Sequence, residues 1–390
     1  MSYESKQEVV RRMRWRYKGR GRQGRSGLIE QVCELCGYER KYAIKLLNGQ
    51  AEGKRAGTRR GGPRLRYGEE EREVLKAIWL AAEQPCGKRL KEALRLWLPH
   101  YEKEKGEVAL VVRQRLGAIS AATIDRLLAS CRVELGKRGR FGTRPGTLLR
   151  TQIPVRTEHW DVAGPGFLEA DTVAHSGESM AGDFCWSITV SDVHTQWTET
   201  RAVFNRGALG VKARIAEIEA ALPFAILGFD CDNGGEFLNW HLVDYFGKRP
   251  RAVPFTRSRP YHKNDNARVE QKNWTHVRQL VGYGRLPEPA QAELLNELYS
   301  KEWGWFRNFF SPVMKHLRTE VEGSRKRRVY DTPKTPFERL KDCGQLAPEQ
   351  LEQLEALYAS LNPFDLKRRI EKKLRVLLRA AKGHSLALAA

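Results

Sequence analysis

The stretch from Phe224 to Phe237, FAILGFDCDNGGEF, limits the possible folds more than any other in this chain. An apolar run leads into two aspartates, an Asn and two glycines. Asn-Gly between strands is a hairpin signal, and a hairpin needs an alternating strand on its far side. The far side here is FLNWHLVDYF, with Phe237, Leu238, Leu242, Val243 and Phe246 at helical spacing. The loop therefore joins a strand to a helix. In sheets built this way functional groups gather at the carboxyl ends of strands, and Asp232 occupies such an end. Asp230, two residues earlier, faces the same side of an extended strand and competes for the same role. Asn233 and Gly234 shape the loop, where a bulky side chain would crowd an approaching ligand.

The neighbouring segments extend this sheet. GFLEADTVAH, GDFCWSITVSDV and TQWTETRAV, between residues 166 and 203, are β-rich with turn residues between them, which predicts an antiparallel meander. GALGVKARIAEIEAAL then has helical spacing, RAVPFT is a short strand, and a long helix starts near Asn266. Strands first and alternating α and β afterwards predict a mixed sheet with helices on its faces. Asp171 lies inside the first strand among apolar or small neighbours, where an unpaired charge is costly. Glu270 lies one turn into the long helix, after the start signals Asn264, Asp265 and Asn266. Converging carboxylates are best explained by a hard cation such as Mg²⁺, which takes oxygen ligands and keeps several waters. Asp192 and Glu169 also fall in strand regions and are expected either in structural salt bridges or exposed to solvent. His262 in the loop before Glu270 is either a substrate contact or without a role.

The charge points to a polyanionic partner. The 390 residues carry a formal net charge of +22, and residues 1–150 hold 35 Lys and Arg against 17 Asp and Glu. No apolar run approaches the roughly 20 residues that span a bilayer. The start also lacks an apolar signal region, so no membrane association is expected and the chain is read as cytoplasmic and nucleoid-associated. Seven cysteines, an odd number, fit reduced thiols. Cys33 and Cys36 have C-x-x-C spacing but no second pair nearby, so they are expected in a core rather than on zinc.

Residues 27–47 read as helix, turn at Gly37, helix. Arg40, Lys41 and Lys45 lie on the exposed side of the second helix, either as DNA contacts or as a solvated face. A Gly/Arg-rich stretch comes next, with Arg59, Arg60, Arg64 and Arg66 available to a minor groove if it is more than a linker. Residues 69–133 are helical, with apolar stripes at Val74, Leu75, Ile78, Trp79 and Ala82 and at Leu90, Leu94 and Leu98. Ser120 is a plausible N-cap of a second helix-turn-helix candidate that presents Thr123 and Arg126. Arg138 and Arg140 lie in a second basic linker. After Pro287 helices are expected to dominate, and the last segment is an amphipathic basic helix.

With these residues in view, EADTV, CDNGGEF and NDNARVEQKN resemble the D, D-N-G and E motifs of the DDE transposase and integrase family, here with 37 residues between Asp232 and Glu270. The likeness covers about residues 155–285 and extends more weakly to Pro336–Leu340, similar to a segment found after such cores. It implies an α/β RNase H-like mixed-sheet catalytic core at 155–310. Helix-turn-helix DNA-binding modules at 1–52 and 69–135, linkers at 53–68 and 136–154, and a basic, mainly helical C-terminal region at 311–390 would surround it. It also implies that Asp171, Asp232 and Glu270 hold two Mg²⁺ ions, with Mn²⁺ as substitute, and are the catalytic residues of a DNA transposase that cuts and joins strands as a homo-oligomer on double-stranded DNA. Lys263, Arg268 and Lys272, near Glu270, are read either as phosphate contacts or as ordinary surface charges. A non-catalytic DNA-binding regulator and a nuclease acting on RNA–DNA hybrids are the alternatives.

Overall fold

The computed structural model describes residues 1–49, 67–131, 162–232, 234–258, 267–322 and 325–380, in two units, Met1–Arg66 and Tyr67–Ala390. In the first, α1 (Tyr3–Lys18), α2 (Arg22–Cys36) and α3 (Arg40–Leu47) surround a small core of Val10, Tyr17, Leu28, Ile29, Val32, Cys36, Ala43, Leu46 and Leu47. Gly37 ends α2 at φ +65°, a left-handed conformation that suits glycine. Two helices follow one another across the Gly37 turn as expected, and α1 joins them in one three-helix core. Leu35 and Tyr42 are exposed, and Ala43 and Leu46 take the inward places. Cys36 is buried and Cys33 half-buried, both as free thiols.

The second unit begins with α4 (Glu69–Ala81), α5 (Gly87–Lys105), α6 (Leu110–Ala118) and α7 (Ala121–Leu127). The predicted stripes are buried, apart from a half-buried Leu98, and the Ser120 side chain caps α7 by accepting the Thr123 amide at 3.1 Å. These helices do not stand apart as a module of their own. Trp97 in α5 packs edge-on against Phe306, Phe310 and Phe364, and its indole N–H donates to the Phe310 carbonyl at 3.0 Å.

The sheet contains β1 (Phe167–Ala174), β2 (Cys185–Asp192), β3 (Thr198–Phe204), β4 (Gly228–Cys231) and β5 (Phe255–Arg257), in the order β3-β2-β1-β4-β5. The first three strands form the antiparallel meander, and β1, β4 and β5 run parallel. α8 (Ala208–Ala221), before β4, and α9 (Trp240–Gly247), between β4 and β5, supply the crossovers. α8 buries Val211, Ile215 and Ile218, one helical stripe, against Leu168, Ala170, Phe229 and Cys231 on one sheet face.

The other face is covered by α10 (Ala267–Lys272), a π-helical turn (Asn273–Arg278), α11 (Gln279–Val281), α12 (Pro289–Leu298), a second π turn (Tyr299–Trp303) and α13 (Gly304–Phe310). A buried chain from His175 to Ser187 to the Tyr299 hydroxyl, at 2.7 and 2.9 Å, ties sheet to helices. The outer edge of β3 is closed by side-chain amides. Asn296 bonds both backbone groups of Ala202, and Asn308 both of Thr198, which leaves less free edge for another strand.

The C-terminal part is mainly helical, as expected, but it opens with a pair of strands. The charged segment after Pro312 forms a hairpin of β6 (His316–Glu322) and β7 (Arg325–Tyr330). Then come α14 (Pro336–Asp342), α15 (Pro348–Ser360) and α16 (Pro363–Ala380). α16 is amphipathic and buries Leu366, Ile370 and Leu377 in the same core as Trp97. No helix among the described residues is long and apolar enough to cross a membrane.

Candidate active site

Strand alternation puts Leu168 and Ala170 on the face covered by α8 and turns Glu169 and Asp171 towards α10. β1 pairs in parallel with β4 so that Glu169 is level with Asp230 and Ala170 with Cys231. One step further, Asp171 is level with Asp232, the first residue past β4. Two carboxylates thus meet where the ladder ends.

Asp171 is held from two sides, accepting the Thr172 amide and the Asn273 side-chain amide, each at 2.7 Å. Burial, then the charges of Asp232, Glu270 and Glu236, push its carboxyl well above the usual range. Asp232 accepts the Gly234 amide at 2.9 Å, and burial together with Glu236 raises it to about 6. Glu270 is exposed in the first turn of α10, within electrostatic reach of Asp171. Asn273 lies three residues later on the same helix face.

Glu236 is the residue that the sequence motifs did not single out. It is buried, accepts the Thr172 hydroxyl at 2.8 Å and pairs with Arg206 at 3.3 Å, while Arg206 stacks over Trp186. A Cβ on Gly234 would lie 2.7 Å from its carboxyl atoms. Asn273 was missed as well. The signals for both residues were short spacings: Glu236 four residues after Asp232, Asn273 three after Glu270.

Asp230 shares the face of Asp232 but is fully buried, and it accepts the Thr256 hydroxyl at 2.5 Å on the β5 side. Among the described residues no three His, Cys, Asp or Glu side chains stand close enough to cage a metal ion. The oxygen donors still fit Mg²⁺, which is commonly held by one or two carboxylates with water and substrate phosphate completing its shell. Mutually repelling carboxylates such as Asp171 and Asp232 gain most from such a cation.

A curated relative aligns along nearly the whole chain. The uncharacterized protein y4rM of Sinorhizobium fredii (strain NBRC 101917 / NGR234) is 36% identical over 343 residues, 87% of this chain and 96% of that protein. The chain belongs to the y4rM family. No family model matches it. Among solved structures, the y4rM-family chain is similar to the HTLV-2 integrase catalytic core in complex with magnesium (TM-score 0.28, 12% identity, 38% of this chain and 88% of that one). It is also similar to the BIV integrase catalytic core (0.30, 15%, 46% and 97%) and to a chain of a simian T-cell lymphotropic virus intasome in complex with PP2A regulatory subunit B56 gamma (0.30, 11%, 55% and 69%).

The other predicted contacts of this y4rM-family chain are distributed unevenly. Arg40, Lys41 and Lys45 are exposed on α3, with Arg40 paired to Glu30 at 3.2 Å. Thr123 is half-exposed and bonded within its own turn, and Arg126 is exposed. Arg268 is a counter-ion: it pairs at 2.9 Å with Glu169, which is fully buried and structural, as expected. Asp192 is structural too, accepting the Gly166 and Thr195 amides and the Thr195 hydroxyl. Lys272 corrects the phosphate-contact reading. Two residues past Glu270 it points the opposite way, is only 3% exposed, and donates to the Gln196 carbonyl at 3.3 Å. Arg59, Arg60, Arg64, Arg66, Arg138, Arg140, Asn233, His262 and Lys263 lie outside the described residues.

Proposed function

We propose that this chain is a DNA strand transferase of the transposase and integrase type, which binds the ends of a mobile element, cuts them and joins them to target DNA as a multimer. The observation that carries the reading is the pairing of β1 with β4, which sets Asp171 level with Asp232 at the carboxyl end of β4, in the field of Glu270. The D-N-G loop and the basic N-terminal part support it from the sequence.

A divalent cation held by Asp171 and Asp232 would offset their charge and polarise the attacked phosphate. The chain's own residues supply position. Asn273 and the Thr172 amide fix the Asp171 carboxylate, and the Gly234 amide fixes Asp232. Glu270, exposed on the first turn of α10, takes the third acidic role. Phosphoryl transfer needs no covalent protein nucleophile when the reacting oxygens are held in line, so a carboxylate edge open to DNA suffices. The exposed cations of α3 and α7 would contact element ends through phosphates.

Asp232→Asn tests this directly. Strand joining on a duplex of the element ends with Mg²⁺ should fall by about 100-fold or more, the scale of losing one transition-state electrostatic partner. End binding should stay within about twofold of the wild type, since rim charges carry most of it. Joining that survives in this variant overturns the assignment, and binding with no cleavage by the wild type points to a regulator.

A further inference from the structure

On the side of α10 turned away from Asp171, cations are buried without a matching set of carboxylates among the described residues. Arg307 in α13 is 5% exposed, with its guanidinium 5.3 Å from the centre of the Trp303 ring. Its Nε is buried and unpartnered, and among the described residues the side chain makes no hydrogen bond or ion pair. Arg89 reaches in from α5 and donates to the Pro312 carbonyl at 2.5 Å. Lys272 and the His276 ring are each 3% exposed beneath α10, and Arg339 leaves its Nε buried and unpartnered.

These groups act on one another. The field of Arg89, added to burial, pulls Arg307 down to about 9, offset by Glu83, which is already paired with Lys367. Glu302, near in sequence, is paired with Lys373, and Asp331 with Arg339. A lysine or histidine can escape such a place by losing its proton, but an arginine does not. Water can satisfy donors without supplying charge, so compensation calls for an anion. Planar guanidinium forks from two elements suit the spread oxygens of a tetrahedral oxyanion. The depth of the cluster suits a small free ion rather than a polymer backbone.

We propose that Arg307 and Arg89 bind one small oxyanion of the phosphate class where α5, the helix of Glu270 and α13 meet. This site is separate from the carboxylate edge and does not depend on the chain's activity on DNA.

The test uses the full chain and inorganic phosphate. Isothermal titration in a phosphate-free buffer should show saturable binding of one phosphate per chain, and thermal unfolding should shift upward beyond the shift given by sodium chloride at equal ionic strength. Arg307→Met should weaken binding by about tenfold or more and remove the phosphate-specific shift. Arg89→Gln is the second variant should the first fail to fold. Saturating duplex DNA should leave phosphate binding unchanged. Absence of saturable binding, equal binding by the variants, or displacement of phosphate by the duplex would each overturn the proposal.

Discussion

Asp232 lies one residue past the end of β4, and its charge works against folding until something offsets it. Its carboxyl is raised to about 6 by burial and by Glu236, so the folded chain holds its proton more tightly than the unfolded chain does. The penalty is absent below the unfolded value near 4 and complete above about 6. Asp232→Asn should therefore melt higher than the wild type at pH 7 without divalent ions, with the gap closing as pH falls towards 4. Mg²⁺ should close the gap at pH 7 by stabilising the wild type alone, and differential scanning calorimetry across pH reads both effects. Gly234→Ala tests the loop. Its Cβ would meet the Glu236 carboxyl, which Thr172 and Arg206 hold in place, so a loss of about 1–3 kcal/mol in urea unfolding is expected.

Element boundaries show which signals the sequence carries plainly. β1 to β3 and α8 were legible because their periods of two and 3.6 match the faces they bury. Pro336–Leu340 was legible only as a resemblance, and it is a capping box. The Thr335 hydroxyl accepts the Glu338 amide at 3.1 Å while Glu338 accepts the Thr335 amide at 2.8 Å, which starts α14 and seats Phe337 and Leu340 in the core. Thr335→Ala should cost about 1 kcal/mol, read as a lower melting temperature. The β6–β7 hairpin was not legible. Its strands leave Leu317 and Val321 exposed, so no buried face imposes the alternation that marks a strand. α1 was hidden likewise, burying only Val10 and Tyr17 along its length. At the site, the sequence offered Asp171, Asp232 and Glu270 by motif. The burial of Lys272 was out of reach, because Arg307 and the α13 wall come from more than 30 residues downstream.

At the scale of the whole molecule, residues 1–66 and 67–390 hold separate cores, so removing the first unit should leave the second with a single cooperative unfolding transition. On the proposed function, in which cations of the first unit contact phosphates, affinity for duplex DNA should fall and its dependence on salt should become shallower when that unit is deleted. Fluorescence anisotropy at two salt concentrations checks this, and an unchanged slope would place the DNA contacts elsewhere. Within the second unit, the helical run from α10 through the π turn carries two alignments. Before and at the start of the π turn, Glu270 and Asn273 serve the strand edge; within it, the His276 carbonyl takes the Trp303 indole proton at 2.8 Å. The wider turn works as a vernier between the two sets of partners, since one residue more or fewer rotates one set by about 100° against the other.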